Sequence, residues 1–328
     1  MYAWQLTELG SPRDVLRLVE IDRPEPGPGQ LVVRVLASTV NFPDVLLCRG
    51  EYQVSPELPF TPGVELCGEV VELGSEVSGV SVGDHVIGGA ALPHGGFGEY
   101  AVIQADRALP APESLSPAEG ASLYIGYQTA WFGLHRRAGL SEGETLLVHA
   151  AAGGTGSAAV QLGKAAGSRV VAVVGGPDKA AIARELGADV VVDRHREDFV
   201  SVVKDLTGGR GADVVYDPVG GETYTRSTKC IAFEGRILVI GFAGGTIPTP
   251  GLNHALIKNY SILGLHWGLY TERAPQAVVQ VHTELRRLAA EGAVRPLISE
   301  KVSLENLADA VQRVGDGHTV GRVALVRQ

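Results

Sequence analysis

The strand Thr145-Leu-Leu-Val-His149 runs into Ala150-Ala-Ala-Gly-Gly-Thr-Gly156, and a helical pattern from Ser157 to Ala166 follows, ended by Gly167. This junction constrains the chain more than any other segment. A buried apolar strand delivers a glycine-rich turn to a helix N-terminus, the arrangement of a doubly wound α/β sheet. Against G-x-G-x-x-G the turn reads Ala151-x-Gly153-x-x-Gly156, with alanine at the first glycine. Gly153 and Gly154 let the backbone approach a pyrophosphate, and the helix N-terminus offers free N–H groups and a positive dipole end. A glycine triplet alone is equally a plain tight turn. The strand before it, the helix after it and the βαβ unit beyond supply the context that makes it a dinucleotide site.

Alternation continues downstream. Arg169–Val174 is a strand, Pro177–Leu186 a helix with proline in its first turn and Gly187 beyond its end, and Val190–Val192 a strand. A helix over 196–206, a strand Asp213–Tyr216, a helix over 221–233 and a strand Arg236–Ile240 complete the series. Strands alternating with helices predict a parallel sheet over about 122–265. Before it, Leu31–Leu36, Glu69–Leu73, Asp84–Ile87 and Phe97–Val102 read as short strands between Gly/Pro turns, hence a mostly β domain. The pattern changes at Ser116-Pro-Ala-Glu119, a helix start. The tail, 266–328, carries Val278, Val281, Leu285 and Leu288 on one helical face and Leu304, Leu307, Ala308 and Val311 on another. It is too short for a domain and is expected to pack on the N-terminal part. The expected division is therefore 1–121 plus 266–328 as the substrate domain, with the sheet domain inserted between.

Composition excludes several classes. The 328 residues carry 28 Lys and Arg against 37 Asp and Glu, a net charge of −9. That balance argues against nucleic acid and against an anionic membrane as partners. No apolar run approaches the roughly 20 residues of a membrane span, and Met1–Asp14 lacks the pattern of a signal peptide. Cys48, Cys67 and Cys230 are odd in number and widely spaced, which offers neither a disulfide framework nor a cysteine zinc cluster and suits a reducing cytoplasm.

The cofactor type follows from the second strand. An NAD site usually carries an acid at its end. Here the strand ends Val173-Val174-Gly175-Gly176, Lys179 follows in the next helix, and Arg194 follows the third strand. Two cations without that carboxylate suit a 2′-phosphate and favour NADPH, although Asp178 could bind a ribose hydroxyl. The nine histidines are scattered without Cys or Glu companions at zinc spacing, so no catalytic metal is expected. Hydride chemistry without a Lewis acid suits an acceptor that is already electron-poor, a quinone or an activated alkene.

Asn41-Phe-Pro-Asp44, Arg49-Gly-Glu-Tyr52, Pro59-Phe-Thr-Pro-Gly-Val-Glu65, Gly126-Tyr-Gln-Thr129, Ala150–Gly156, Gly187-Ala-Asp189, Val239–Gly244 and Gly321-Arg-Val323 occur in that order. Together they resemble the zinc-independent quinone oxidoreductases, the zeta-crystallin type, of the medium-chain dehydrogenase/reductase superfamily. The resemblance covers nearly the whole chain. It implies a Rossmann sheet inserted in a mostly β, GroES-like catalytic domain, an active site in the cleft between them, and a homodimer joined through the Rossmann sheets. Zinc-bearing relatives have Cys where this chain has Asn41 and His where it has Val64. Carried over by position, Asn41 and Thr129 lie near the nicotinamide. Gly153, Gly154, Thr155 and Gly156 hold the pyrophosphate, Lys179 and Arg194 suit the 2′-phosphate, and Gly175 is a further cofactor-binding residue. Gly241, Phe242 and Ala243 line the nicotinamide side, and Tyr52 faces the substrate. Arg194 stands where the family often has tyrosine, and Leu46 where some members have a second pocket tyrosine.

Plainer roles stand beside these. Asn41 could cap the helix starting near Pro43, Tyr52 could be a packing residue, Asp44 an early-turn acid, Cys67 a small core residue and His149 a structural one. The leading expectation is a cytoplasmic NADPH-dependent quinone reductase with Tyr52 and Asn41 at the reacting centre. Its rivals are a reductase of α,β-unsaturated carbonyls or enoyl thioesters and a cofactor-binding protein with little catalysis.

Overall fold

The computed structural model describes residues 1–327. Two compact units divide the chain. One comprises Met1–Ile125, His282–Ala290 and Pro296 onward; the other comprises Gly126–Val281 and Glu291–Arg295. Residues 266–281, expected with the first unit, thus belong to the second.

The second unit is built on six parallel strands: β1 (Thr145–His149), β2 (Arg169–Val174), β3 (Val190–Asp193), β4 (Ala212–Asp217), β5 (Ile231–Val239) and β6 (Ser261–Gly264). Their order is β3-β2-β1-β4-β5-β6, every neighbouring pair parallel. The order reverses between β1 and β4, the point at which such sheets bind ligands outside their strand carboxyl ends. All five residues of β1 are buried. A strand covered on both faces must be apolar throughout, which is why β1 and β2 were legible as unbroken hydrophobic runs. Leu147, Val171, Val173, Val192, Val215 and Ile237 form a core with Phe199, Val203 and Tyr224.

Helices α1 (Gly154–Ala165), α2 (Pro177–Glu185), α3 (Phe199–Leu206), α4 (Gly221–Ser227) and α5 (Leu252–Lys258) connect the strands. α1 begins three residues before the expected Ser157, because its first turn is the glycine-rich Gly154-Thr155-Gly156. α4 ends at Ser227, not 233, and β5 starts at Ile231 instead of Arg236. The cause is a bulge. The β4–β5 register jumps from Ala212↔Ile231 to Val214↔Arg236, and Glu234 between them takes a left-handed φ of 57°, which shifts the pairing while the strand continues.

The first unit carries a seven-stranded sheet. Its path runs Ile298–Val302, Arg322–Val326, Gln30–Thr39, Glu65–Leu73, His85–Gly89 and Leu109–Pro110, with Tyr100–Gln104 also paired to Gln30–Thr39. Alternate residues Leu31, Val33 and Val35 enter one core with Leu66, Val70, Val86 and Ile103. A second core joins Trp4, Leu6, Val45, Leu47, Phe60 and Phe97 to Leu307, Val311 and Leu325 of the tail. The Trp4 indole N–H fixes that return by donating to the Leu304 carbonyl at 2.6 Å. Among the described residues no helix is long and apolar enough to cross a membrane.

Candidate active site

In the second unit the expected cofactor residues gather at the carboxyl ends of the parallel strands. β1 ends at His149, and Ala150 turns the chain with a left-handed φ of 48°. The Ala151 N–H donates to the Val173 carbonyl at 3.1 Å and the Gly153 N–H to that of Ala150 at 2.8 Å. Gly153 is the N-cap of α1 and has no side chain to cap it, so no N-cap side chain competes for the first-turn N–H groups of Gly154, Thr155 and Gly156. Gly156 has a different task. A Cβ there would lie 2.2 Å from the Ala150 carbonyl oxygen, whereas at Gly153 the corresponding distance is 3.1 Å. Gly156 lets the helix close on the turn; Gly153 leaves the turn's outer surface bare. Thr129 is buried in the helical turn Gln128–Trp131, which packs against α1.

β2 ends at Val174 and β3 at Asp193. The Asp193 carboxylate ties the two ends together, accepting the Gly176 N–H at 2.9 Å and the His195 N–H at 3.1 Å. These bonds hold its carboxyl below the usual range. Asp193 is thereby occupied by the backbone. Arg194 folds over Gly175, with its Nε 3.1 Å from where a Cβ at 175 would stand. Lys179 sits in the first turn of α2, and burial and then the Arg194 charge lower its pKa. Lys179 and Arg194 thus place two cationic side chains near the ends of neighbouring strands.

The third part of the rim was expected at Gly241, Phe242 and Ala243. The Ala243 N–H donates to the Pro218 carbonyl at 3.0 Å and the Gly244 N–H to that of Val219 at 2.9 Å. The loops after β4 and β5 are thus laced together, with Phe242 partly exposed. Their anchor, Asp217, escaped the sequence reading. It is 2% exposed and accepts the Val219 and Gly220 N–H groups at 2.8 and 3.0 Å. Burial raises its pKa against those two donors. An acid ending a strand just before Pro-Val-Gly-Gly was the available signal. His149 is structural as expected. Its Nε2 lies 2.8 Å from the Ser227 hydroxyl, and burial, with the Arg226 charge, pushes its pKa down to about 3.

In the first unit Asn41 stands at the N-cap of the helix Phe42–Arg49 and is 4% exposed. Its Nδ2 donates to the Thr39 carbonyl at 3.1 Å and to Glu65 Oε1 at 2.9 Å, while its Oδ1 accepts from Arg322 Nη1. Glu65 is fully buried and also accepts from the Thr39 hydroxyl and, at 2.7 Å, from the Ile125 N–H. Arg322 Nη2 lies 3.4 Å from the Glu65 carboxylate. Asn41 is therefore clamped between a buried carboxylate and a buried guanidinium. The sequence had singled out Glu65 and Arg322 as motif residues without pairing them.

Asp44 is also fully buried. Its carboxylate accepts the N–H groups of Asn41, Gly63 and Val64 at 2.8, 3.0 and 3.1 Å, which joins the helix start to the Pro62–Val64 turn. Burial raises its pKa to about 7 against these donors. Tyr52 is half-buried against the apolar core. Burial and then the Asp44 charge raise its phenol pKa. It is thus a neutral hydrogen-bond donor. Cys67 is a buried core thiol pushed up to about 12.

The fold and these sites define an oxidoreductase of the medium-chain dehydrogenase/reductase class. Residues 27–113 match the alcohol dehydrogenase GroES-like domain and residues 154–283 the zinc-binding dehydrogenase domain. The chain is 38% identical over 300 residues to the quinone oxidoreductase-like protein 2 homolog of Nematostella vectensis, covering 91% of this chain and 82% of the relative. A solved mycobacterial structure complexed with NADPH is 31% identical, with a TM-score of 0.92 and full coverage of both chains. The CurK enoyl reductase structure is 26% identical with a TM-score of 0.88, over 99% of this chain and 98% of that one. The chain belongs to the quinone oxidoreductase-like family of the medium-chain dehydrogenase/reductase superfamily.

The zinc that one domain description names does not fit these residues. Among the described residues no group of three His, Cys, Asp or Glu side chains could hold a metal ion. Asn41 and Val64 stand at the positions that the resemblance assigns to ligands, and the Asn41 amide is held by Glu65 and Arg322.

Proposed function

We propose that this chain is a zinc-independent NADPH:quinone oxidoreductase. The observation that carries the cofactor half is that Lys179, in the first turn of α2, and Arg194, just beyond β3, bring two positive charges to one edge of the sheet. There Asp193, the acid of that edge, is spent on backbone N–H groups. NADPH supplies the hydride when bound. Gly153 to Gly156 present backbone donors to its pyrophosphate, and Lys179 and Arg194 meet its 2′-phosphate. The laced loops of Pro218–Gly220 and Gly241–Gly244 form the nicotinamide side.

Quinone is the acceptor class that this equipment suits. A hydride brings two electrons and a proton to the quinone, and solvent supplies the second proton of the hydroquinone. Tyr52, a neutral donor at physiological pH, stabilises the oxygen that gains charge. Asn41 is set by Glu65 and Arg322, so its role is to hold the wall of the site in place. Without a metal or a strong base, catalysis rests on positioning. Tyr52→Phe tests this: turnover falls while NADPH affinity stays. Unchanged turnover would remove Tyr52 from the mechanism.

The likeness to an enoyl reductase structure favours one second reading, reduction of an activated alkene, in which Tyr52 would donate the proton. A cofactor-binding protein with little catalysis is the third, distinguished by nucleotide binding without turnover on any acceptor.

The same reading takes the protein as a cytoplasmic homodimer. Its three cysteines are free and buried, which suits a reducing compartment. Among the described residues β6 is the last strand of the sheet, with no strand paired to its outer edge. The helix just before it in the chain, α5, exposes Leu252, Leu256 and Ile257 at 75%, 78% and 74%. Apolar side chains this exposed, together with an open strand edge, support pairing with a second copy.

A further inference from the structure

The cation pair at Lys179 and Arg194 has a third neighbour. His195 follows Arg194 directly beyond β3. Its Nε2 lies 3.0 Å from the point that a Cβ at Gly175 would occupy, and Arg194 Nε and Nη2 lie 3.1 and 3.2 Å from the same point. Two nitrogen-bearing side chains thus close over one bare glycine at the end of β2, and any larger residue at 175 would displace both. The backbone behind them is fixed, because Asp193 binds the N–H of His195 and that of Gly176 through one oxygen. Gly176 is also the N-cap of α2, so the positive end of that helix opens onto the same spot. The Asp193 carboxylate faces the backbone, and Arg196 reaches it from outside at 3.8 Å.

We propose that His195 is a third ligand of the NADPH 2′-phosphate and a determinant of the preference for NADPH over NADH. The inference rests on the reading that this phosphate lies at Lys179 and Arg194. The phosphate oxygens offer more acceptor positions than a lysine and an arginine fill, and the imidazole Nε2 edge presents one further donor. Gly175 is part of the device: its lack of a side chain is what lets His195 and Arg194 share the site.

The test compares wild type with His195→Gln, His195→Lys, Lys179→Ala and Arg194→Ala, after thermal melts confirm that each variant folds. The readouts are the ratio of kcat/KM for NADPH to that for NADH, and the affinity for 2′,5′-ADP by calorimetry. The expected result is that His195→Gln lowers both the ratio and the 2′,5′-ADP affinity about 5-fold, and that His195→Lys restores them. If Lys179→Ala and Arg194→Ala lower the ratio and His195→Gln does not, the role of His195 is overturned and the NADPH reading stands. If none of the variants changes the ratio, the reading beneath it falls as well.

Discussion

Gly153 and Gly156 lie three residues apart in one turn, and the structure gives them separable tasks. A Cβ at 156 would stand 2.2 Å from the Ala150 carbonyl oxygen and 2.8 Å from its carbon. An ordinary C···O contact is about 3.3 Å, so Gly156→Ala must push the first turn of α1 back by about 1 Å. Overpacking of this kind costs about 1–3 kcal/mol of stability. On the proposed cofactor reading, the same retreat withdraws the N–H groups of Gly154 to Gly156 from the pyrophosphate. Loss of one charge-assisted hydrogen bond weakens binding about 10–100-fold. At Gly153 the crowding is mild, since Cβ would stand 3.1 Å from the nearest oxygen, a few tenths of an ångström inside that contact, and φ is −87°. Gly153→Ala therefore leaves stability within about 1 kcal/mol and still weakens NADPH, because the methyl group stands where the backbone meets the ligand. Urea melts and fluorescence titrations with NADPH separate the two effects. A Gly156→Ala protein with native stability and native affinity would refute the reasoning.

Further outcomes follow from the buried groups. Glu65→Gln turns an amide toward donors and leaves Arg322 buried without its counter-charge, which costs about 3–5 kcal/mol; adding Arg322→Met recovers part of that loss in a double-mutant cycle by urea melts. Asp44 has a folded-state pKa near 7 against an ordinary 3.8, so its ionisation opposes folding. The cost is absent below about pH 4, grows as pH rises and is complete above about 7, with a ceiling of roughly 4 kcal/mol. The difference in stability between wild type and Asp44→Asn, followed from pH 5 to 8, should therefore move against wild type as pH rises, and a flat difference would place the Asp44 pKa elsewhere. Asp217→Ala frees the Val219 and Gly220 N–H groups, costs about 1–3 kcal/mol and raises the KM for NADPH, measured by melts and steady-state kinetics.

The sheet was legible because β1 and β2 are unbroken apolar runs bounded by turns, and their ends agree with the structure to the residue. The turn at 153–156 was legible because a strand end, a glycine run and a helix start are local signals. The start of β5 was not, since the bulge at Glu234 depends on pairing with β4 and leaves no periodic signal. The clamp on Asn41 was hidden for a plainer reason: Arg322 lies 281 positions away, and only the fold brings the tail strand beside Gln30–Thr39. Asp217 and Asp193 look like surface acids in the sequence. Each is spent on backbone N–H groups that exist only once the strand ends are laid side by side.

The most direct test of the account is nicotinamide oxidation by metal-free purified protein. NADPH and NADH would each be offered with a small benzoquinone, 9,10-phenanthrenequinone, an enone and crotonyl-CoA. The account predicts turnover with NADPH and the quinones, and little with NADH. Turnover confined to the enone or the thioester, or turnover restored only by added zinc, would contradict it.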